Sequence, residues 1–386
     1  MAQKIGVGLI GYKFMGKAHS NAFRQVSHFF DLDLVPEMKV ICGRDRAGVS
    51  QAAEQLGWPE YETDWRKVIS RDDVGLVDIT TGNDTHCEMV LAAAEAKKHI
   101  YCEKPLAMNV RQARQMLEAA EKAGIRHMVN FNYRKVPAVQ LAKRLVGDGA
   151  IGKIYHWRAV YLQDWIVDPN FPLVWRLKKE LAGSGAHGDI NAHIIDLARF
   201  LVGDIEEVSG MMKTFIKQRP EPASMTGLSA SASEKMGEVT VDDAAAFLAR
   251  FENGAIGTFE ASRFATGRKN FNSFEINGSE GSLVFNLERL DELQYFSRKD
   301  EGDRQGFRTI MVTDASHPYM EAWWPAGHII GWEHSFIHQV RDLMEAIAKN
   351  QPASPTFEDG LKCQQILEAV EQSNDTRQWV RPADVQ

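Results

Sequence analysis

Short apolar runs alternate with amphipathic, helix-length segments between residues 4 and 130, and no other feature restricts the possible folds as strongly. The expected strands are residues 4–10, 38–42, 76–81, 99–102 and 127–131. The expected helices lie around residues 18–25, 47–55, 85–96 and 110–123. This βαβα alternation predicts a doubly wound α/β Rossmann domain, in which helices cover both faces of a parallel sheet.

The first expected strand leads into a modified dinucleotide-binding fingerprint, which contains Gly11, Lys13, Phe14, Met15 and Gly16. In this fingerprint, backbone amides at a helix N-terminus hold the pyrophosphate. Gly11 suits the tight turn and Gly16 suits close packing of the helix on the strand. Lys13 stands where the middle glycine is expected, so the backbone approach is more crowded, although the lysine amine can reach a phosphate oxygen. We expect these five residues to bind a dinucleotide.

The end of the second expected strand bears on the choice of cofactor. Gly43 and Arg44 stand where an acidic residue binds the ribose 2′-hydroxyl group of NAD. An arginine without a carboxylate beside it suits a 2′-phosphate, so these residues favour NADP. Asp45 is close enough to leave NAD open, and a solvated Arg44 in a turn is the structural alternative.

Polar residues also follow the later strands. Asn83 and His86 come after the third expected strand, and Glu103 and Lys104 end the fourth, directly before Pro105. Because ligands of open α/β sheets bind at the carboxyl ends of the strands, we expect these residues to face the cofactor and the substrate. Taken alone, Asn83 is equally suited to capping the next helix, and Lys104 to a solvated strand end.

The remainder of the chain predicts a second domain of the α+β class with a mainly antiparallel open sheet. Residues 153–163 alternate as a strand does, and hairpins are expected around 252–254 and 278–281. Residues 217–238 are rich in Ser, Pro and Gly and are expected to form a long exposed loop. Further strands are expected at 293–296 and 308–312, and helices at 334–349 and 359–372. The predicted domains are 1–131 and 132–386, and the C-terminal helices can pack back on the first domain.

Asp189 and His193 lie four residues apart at the start of an expected helix that runs to Phe200. They therefore share one face, where a carboxylate and an imidazole can orient a substrate hydroxyl group and remove its proton. An acidic residue near a helix N-terminus and a surface histidine are the structural alternative. His187 adds a third potential metal ligand, but a fourth is not evident in the sequence, so we expect no metal.

The composition excludes several classes of protein. The 386 residues carry a formal net charge of −7, which does not indicate nucleic-acid binding. The apolar runs are shorter than the ~18 residues that a membrane span requires. The four cysteines have no paired spacing that would predict zinc or disulfide bonds. We therefore expect a cytoplasmic protein that binds neither nucleic acid nor membranes.

These motifs together resemble the glucose-fructose oxidoreductase/inositol dehydrogenase/MocA (Gfo/Idh/MocA) family over nearly the whole chain. The matching motifs are residues 11–16, the Glu-Lys-Pro of 103–105, and the Gly-Asp-x-x-x-His of 188–193. Residues 14–20, 131–134, 161–165 and 183–186 also resemble sugar dehydrogenases of that family. Lys13 and Gly43 depart from the family pattern, and both departures concern the cofactor.

The resemblance implies a Rossmann domain followed by an open-faced sheet that carries the substrate pocket and often the oligomer interface, so a dimer or tetramer is expected. It implies that Lys104 and His193 act on the carbinol group, that Asp189 positions the substrate, and that the peptide bond before Pro105 is often cis. The expected reaction transfers hydride between a secondary hydroxyl group of a sugar, anhydrosugar or cyclitol and NADP or NAD. Side chains that can hold hydroxyl groups or stack on the sugar ring are Tyr133, Arg134, Gln163, Asp164, Trp165 and Trp175.

Two other functions remain open for this sequence. One is a glycoside-cleaving enzyme that uses tightly bound NAD for transient oxidation of its substrate. The other is a nucleotide-sensing regulator without catalytic activity. The joint presence of Lys104, Asp189 and His193 argues against the regulator, because a sensor has no use for a proton relay.

Overall fold

The computed structural model describes residues 2–226 and 229–386, which divide into two compact units. The first unit comprises the chain up to Asn132 together with Trp332–Gln364. The second comprises Tyr133–Gly331 and Gln365–Gln386.

The elements are numbered in chain order. The strands are β1 (Gln3–Ile10), β2 (Leu34–Cys42), β3 (Glu60–Glu62), β4 (Leu76–Ile79), β5 (His99–Cys102), β6 (His127–Val129), β7 (Ile154–Leu162), β8 (Ile205–Lys213), β9 (Gln218–Thr226), β10 (Ser229–Glu238), β11 (Ala244–Phe251), β12 (Ile256–Ser262), β13 (Phe271–Gly278), β14 (Gly281–Asn286), β15 (Glu292–Ser297) and β16 (Arg308–Met311). The helices are α1 (Phe14–Phe29), α2 (Arg46–Leu56), α3 (Trp65–Ile69), α4 (His86–Glu95), α5 (Val110–Ala123), α6 (Pro137–Gly147), α7 (Lys179–Ala182), α8 (Ala192–Leu201), α9 (His334–Ala348) and α10 (Phe357–Thr376).

The first unit contains a parallel sheet with the strand order β3-β2-β1-β4-β5-β6. β4 is buried along its whole length and β5 from its second residue, as expected for central strands covered on both faces. The helices contact one another in two groups, α1 with α2 and α9, and α3 with α4 and α5. The doubly wound α/β prediction is confirmed, and the strand order reverses between β1 and β4, where open sheets of this kind bind ligands.

Helix α5 shows how local sequence sets an element of this unit. Its buried residues Val110, Ala113, Met116 and Ala120 recur at the spacing of one helix face. The Asn109 side chain accepts a hydrogen bond from the backbone N–H of Gln112 at 2.9 Å, which caps the N-terminus. Gly124 ends the helix in the left-handed conformation, with φ of 68°.

The second unit contains an eight-stranded sheet with the order β16-β15-β14-β13-β7-β12-β11-β8. β7 and β12 pair in parallel and the other neighbours pair antiparallel, so the predicted, mainly antiparallel sheet is confirmed. Both predicted hairpins are present. Helices α6 and α8 pack against this sheet. The opposite face exposes the apolar side chains of Met211, Leu248 and Ile256.

The prediction of a long exposed loop over residues 217–238 is wrong. β9 and β10 pair antiparallel and form a separate two-stranded ribbon; residues 227–228 of the predicted loop lie outside the described residues. Each strand of such a ribbon is an edge strand, which tolerates Pro220 and Pro222 and needs little apolar alternation. Sequence periodicity therefore gave no strand signal here.

Candidate active site

The turn between β1 and α1 can hold a dinucleotide phosphate. Gly11 has φ of +110°, and a Cβ atom there would lie 2.5 Å from Oγ1 of Thr80. A Cβ atom on Gly16 would lie 2.1 Å from the carbonyl oxygen of Gly11. The turn therefore requires both glycines, and it places the N-terminus of a 16-residue helix at the carboxyl edge of the sheet. These residues fit the nicotinamide dinucleotide that the fingerprint predicts.

Three further residues of the fingerprint lie at the first turn of α1. Lys13 is the N-cap residue and is exposed, so its amine is available to a phosphate group. Phe14 is 43% exposed, and its ring stacks with that of Trp332 at a centroid distance of 5.7 Å. Met15 is half-buried. Contact of these side chains with the cofactor stays a prediction.

The residues after β2 form a small cluster with Tyr12. A Cβ atom on Gly43 would lie 2.2 Å from Cδ1 of the Tyr12 ring. Asp45 caps α2 by accepting a hydrogen bond from the Gly48 backbone N–H at 3.1 Å. Burial, with Asp45 nearby, raises the pKa of the Tyr12 hydroxyl group. Arg44 is exposed beside this cluster.

A buried network of charged and polar side chains joins four elements of the first unit, and sequence reasoning missed its centre. The His19 ring places Nδ1 2.9 Å from Oδ2 of Asp78 and Nε2 2.9 Å from Oε1 of Glu103. The amide of Asn130 donates to the same Glu103 oxygen, and its own carbonyl accepts from the hydroxyl group of Tyr101 at 2.6 Å. An aspartate inside the apolar run of β4 was the one sequence signal for this network.

This network supports the backbone at Lys104. The second carboxylate oxygen of Glu103 accepts a hydrogen bond from the Lys104 backbone N–H at 3.1 Å. The Lys104–Pro105 peptide bond is cis, as the family resemblance implies. Lys104 itself is half-buried, whereas Glu103 is only 4% exposed. Glu103 therefore contributes to positioning Lys104, whatever contact it makes with a cofactor.

His86 and Asn83, which follow β4, lie in different environments. His86 is fully buried, and its ring nitrogens lie 3.1 Å from the carbonyl oxygen of Pro105 and 3.3 Å from that of Thr81. Burial lowers the pKa of His86, so the ring is neutral and donates a hydrogen bond to one of these carbonyl groups at a time. Asn83 is half-buried in a short 3₁₀ turn. A direct role of either residue in cofactor binding stays a prediction.

In the second unit, the Gly-Asp-x-x-x-His motif does not lie on one regular helix. Residues His187–Asn191 form a π-helical turn, and α8 begins directly after it. Single π-turns inside helices are frequent at functional sites. Asp189 accepts a hydrogen bond from Nη2 of the fully buried Arg263 at 2.6 Å. Sequence reasoning missed this partner because it is 74 residues away.

The His193 imidazole lies against two tyrosine rings. The ring centroid of His193 is 4.5 Å from that of Tyr133 and 5.8 Å from that of Tyr161. The two tyrosine hydroxyl groups are 2.9 Å apart, and the Tyr161 hydroxyl group donates to Oδ1 of Asn270 at 2.7 Å. Burial, with Tyr133 and Asp189 nearby, raises the pKa of Tyr161 well above its usual value. The Tyr161 hydroxyl group is therefore neutral near neutral pH.

The series of hydrogen bonds continues from Asn270 to the loop that follows β7. The Gln163 amide donates to the same Asn270 oxygen at 3.0 Å, and its carbonyl oxygen accepts from the indole N–H of Trp165 at 2.9 Å. The guanidinium group of Arg263 lies 5.2 Å from the Trp165 ring centroid. Within this unit, His193, Tyr133, Gln163, Trp165 and Asp189 thus belong to one connected polar region.

Three other predicted substrate residues have structural contacts. Arg134 is 4% exposed and forms a bidentate pair with Asp196 at 2.8 and 2.6 Å. Asp164 accepts from the Lys269 ammonium group at 2.8 Å. Trp175 is half-buried, with the Arg176 guanidinium group 4.4 Å from its ring centroid. The buried pair makes Arg134 the least accessible of the predicted substrate contacts.

Both ring nitrogens of His187 have hydrogen-bond partners, which argues against a role of this residue as a metal ligand. Its Nε2 lies 3.0 Å from the carbonyl oxygen of Leu367, and its Nδ1 lies 3.0 Å from the amide of Asn191. Across residues 2–226 and 229–386, no group of three or more His, Cys, Asp or Glu side chains is arranged to hold a metal ion. In the same part of the chain, no helix has the length and apolar content to cross a membrane.

Comparison with known proteins gives the family. A profile of the oxidoreductase family with an NAD-binding Rossmann fold matches residues 5–131, and a GFO/IDH/MocA C-terminal domain profile matches residues 139–284. Levoglucosan dehydrogenase of Pseudarthrobacter phenanthrenivorans is 45% identical over 98% of this chain and 98% of its own. This chain is a member of the Gfo/Idh/MocA oxidoreductase family.

Solved structures agree with this membership. An oxidoreductase domain protein from Kribbella flavida is 55% identical, with a TM-score of 0.94 over 99% of each chain. A levoglucosan dehydrogenase complex with NADH and levoglucosan is 45% identical, with a TM-score of 0.93 over 98% of this chain and 99% of the other. The predicted family and the predicted Rossmann oxidoreductase are therefore confirmed. The preference for NADP is not supported, because the levoglucosan dehydrogenase complexes contain NADH.

Proposed function

We propose that this protein oxidises a secondary hydroxyl group of a sugar, an anhydrosugar or a cyclitol, and that an anhydrosugar such as levoglucosan is the first substrate to test. The observation that carries the proposal is the 45% identity to levoglucosan dehydrogenase along nearly the whole of both chains. The polar region of the second unit supports it, because hydroxyl-rich ligands need several convergent donors and acceptors beside aromatic surfaces.

His193 is the proposed general base, which takes the proton of the reacting hydroxyl group. Its ring contacts the rings of both Tyr133 and Tyr161, so its orientation is set before the substrate binds. The ion pair with Arg263 fixes the carboxylate of Asp189, which is the proposed acceptor for a substrate hydroxyl group. Nicotinamide, when bound, supplies the hydride chemistry.

Lys104 is the proposed electrostatic partner of the reacting oxygen. A lysine ammonium group that donates a hydrogen bond to that oxygen stabilises the negative charge that develops on it. The hydrogen bond from its backbone N–H to Glu103 fixes the segment from which the side chain extends. Preorganisation of this kind is the main protein contribution when the hydride chemistry belongs to a cofactor.

Substrate contacts are proposed for Trp165, Gln163 and Tyr133. The indole ring provides an apolar surface for stacking on a sugar ring, and the amide and the hydroxyl group provide donors and acceptors. Trp175, Asp164 and Arg134 are secondary candidates, because their contacts described above do not join them to the polar region that contains His193 and Asp189.

NAD is the proposed cofactor. Asp45 is the acidic residue closest in sequence to the end of β2, and the related levoglucosan dehydrogenase was solved in complexes with NADH. An acidic side chain at this position can accept hydrogen bonds from the ribose hydroxyl groups. Exposed Arg44 keeps some NADP binding possible, so both cofactors belong in the assay.

We also propose that the protein forms a homo-oligomer, a dimer or a tetramer, through the open face of the eight-stranded sheet. Met211, Leu248 and Ile256 are 70%, 51% and 58% exposed on this face. Neighbouring exposed apolar side chains on a sheet favour association. Light scattering should show a reduced molecular mass for Leu248→Asp and an unchanged mass for Leu91→Asp, which alters an exposed leucine of α4. Equal masses for both variants and the wild type contradict this interface.

The test of the reaction is a substrate screen that follows the absorbance of reduced nicotinamide. Levoglucosan, reducing sugars, glycosides and inositols are each supplied with NAD and with NADP. We expect net reduction of NAD with an anhydrosugar or a related sugar. Cleavage of a glycoside without net formation of reduced nicotinamide supports transient oxidation instead, and inactivity toward every compound contradicts both enzymatic functions.

The catalytic assignment is tested by Lys104→Met. Loss of the ammonium group should lower kcat by about 10²–10³-fold, the cost of removing one preorganised donor from the reacting oxygen. Binding of NADH, measured by its fluorescence, should change little. Lys122→Met, which removes an exposed lysine of α5, is the matched control. Near-normal turnover of Lys104→Met would contradict the proposed role of Lys104 at the reacting oxygen.

A further inference from the structure

The segment from 164 to 177 carries Trp165 and Trp175, and it has a small apolar core of its own. Ile166, Leu173, Val174 and Leu177 are buried together with Val239 and Val241, which follow the β9–β10 ribbon. Trp165, Phe171 and Phe264 pack against this cluster. The segment, called the 164–177 loop below, is therefore a packed element of the second unit.

Arg219 of β9 donates hydrogen bonds to three backbone carbonyl groups of this loop. Its Nη1 contacts the carbonyl oxygens of Asp168 at 2.7 Å and Phe171 at 3.3 Å, and its Nη2 donates to that of Ile166. The side chain is fully buried, and its guanidinium group lies 5.9 Å from the Phe264 ring centroid. Burial of a guanidinium group is costly unless donors are paired, and here the loop backbone supplies the acceptors.

The ribbon contacts the same loop at further points. The backbone N–H of Leu173 donates to the carbonyl oxygen of Pro220 at 2.7 Å. Lys178, directly after the loop, pairs with Glu221 at 3.4 Å. A Cβ atom on Gly237 of β10 would lie 2.5 Å from Cδ2 of Leu173, so both strands of the ribbon approach the loop closely. The ribbon thus forms a support for the loop backbone.

Two acidic residues near Arg219, Asp243 and Asp168, affect it electrostatically. Burial lowers the pKa of Arg219, and the nearby Asp243 only partly offsets this by raising it. The Asp243 carboxylate accepts hydrogen bonds from the backbone N–H groups of Phe215 and Ile216 at 2.6 and 3.2 Å. Asp168, whose carbonyl oxygen accepts from Arg219, adds a weaker electrostatic contribution of the same sign. The direct hydrogen bonds of Arg219 go to the loop.

We propose that Arg219 is a positioning residue for sugar recognition, because it holds the 164–177 loop so that the Trp165 ring and its hydrogen bond to Gln163 stay in place. This proposal rests on the proposed function, since it takes Trp165 and Gln163 as substrate contacts. Its mechanism is preorganisation: a loop already ordered before binding loses less conformational entropy when the sugar binds.

Arg219→Met and Arg219→Lys test the proposal, with Arg289→Met as the matched control at an exposed pair with Glu292. Hydrogen exchange of the 164–177 loop should be faster in Arg219→Met. KM for the sugar should rise about tenfold, equivalent to about 1.4 kcal/mol, while the Kd for NADH stays within about twofold. Arg219→Lys keeps a buried cation with fewer donors, so its exchange rates and KM should lie between those of Arg219→Met and the wild type. The control should match the wild type in every measurement.

Two results would overturn the proposal. One is unchanged exchange of the loop in both Arg219 variants, because the ribbon would then not hold the loop. The other is faster exchange with an unchanged sugar KM, because the loop would then not carry sugar recognition. Failure of the proposed function is distinguishable, since it appears as inactivity of the wild type toward every sugar, while the exchange comparison still reports on Arg219.

Discussion

The buried histidine of the first unit makes a pH-dependent contribution to stability. Burial by itself would lower the pKa of His19, but contacts with Asp78 and Glu103 outweigh it and raise the pKa from 6.5 to about 10. His19 is therefore an imidazolium group near neutral pH, between two carboxylates. We predict that His19→Gln loses a stabilisation whose size depends on pH.

The magnitude follows from the linkage between protonation and folding. The rise from 6.5 to about 10 is about 3.5 pKa units, which at about 1.36 kcal/mol each gives a ceiling of about 5 kcal/mol. Because the folded-state pKa is the higher one, this contribution is complete below about pH 6.5 and is lost as the pH rises toward about 10. The difference in unfolding free energy between wild type and His19→Gln should therefore shrink by several kcal/mol over that range.

Urea unfolding followed by tryptophan fluorescence at a series of pH values measures this difference. Titrations of groups that do not contact His19 cancel when the two curves are subtracted. His28→Gln, which alters an exposed histidine of the same helix, should differ little from the wild type at any pH. A destabilisation by His19→Gln that is constant between pH 6.5 and 10 would refute the assignment of an imidazolium group.

Three further predictions follow from individual contacts. Gly16→Ala should weaken NADH binding by at least about tenfold in calorimetry, because the new Cβ atom would lie 2.1 Å from the Gly11 carbonyl oxygen and displace the phosphate turn; unchanged binding would contradict the role of this turn. Arg134→Met should lower the unfolding free energy by about 3–5 kcal/mol, because it removes the bidentate partner of the buried Asp196 carboxylate. A loss below about 1 kcal/mol would contradict a buried pair. The native protein should react slowly with a thiol reagent and expose all its thiols only on denaturation, since every cysteine is buried: Cys42, Cys87, Cys102 and Cys363.

The first unit was largely predictable because its pattern is dense and local. Strands such as β5 are mostly apolar. Helices such as α5 have both a periodic buried face and capping residues, so each element can be recognised from its own sequence. β3 and α3 were missed because three and five residues are too short to show a period. The ribbon of β9 and β10 was missed because its sequence is rich in Ser and Pro and shows no apolar alternation.

The candidate site was predictable only as far as its residues follow strand ends and motifs. Lys104, Asp189 and His193 could be selected because each belongs to a motif with a recognisable spacing. Their supporting partners could not, because the contacts join distant parts of the chain: 59 residues separate His19 from Asp78, and 74 separate Asp189 from Arg263. Such partners depend on the tertiary fold, which local patterns do not encode.

One departure from the expected dinucleotide-binding pattern, the glycine at position 43, has an explanation in packing. The acidic residue expected at the end of β2 is replaced by Gly43, and this absence suggested a site for a 2′-phosphate. In the structure the Tyr12 ring covers Gly43 so closely that a Cβ atom would lie 2.2 Å from it. Packing therefore explains why residue 43 is a glycine. The missing acidic residue at this position no longer indicates NADP. Arg44 and Asp45 are both exposed, and Asp45 also lies beside the Tyr12 hydroxyl group. We therefore expect these two residues to govern the choice between NAD and NADP.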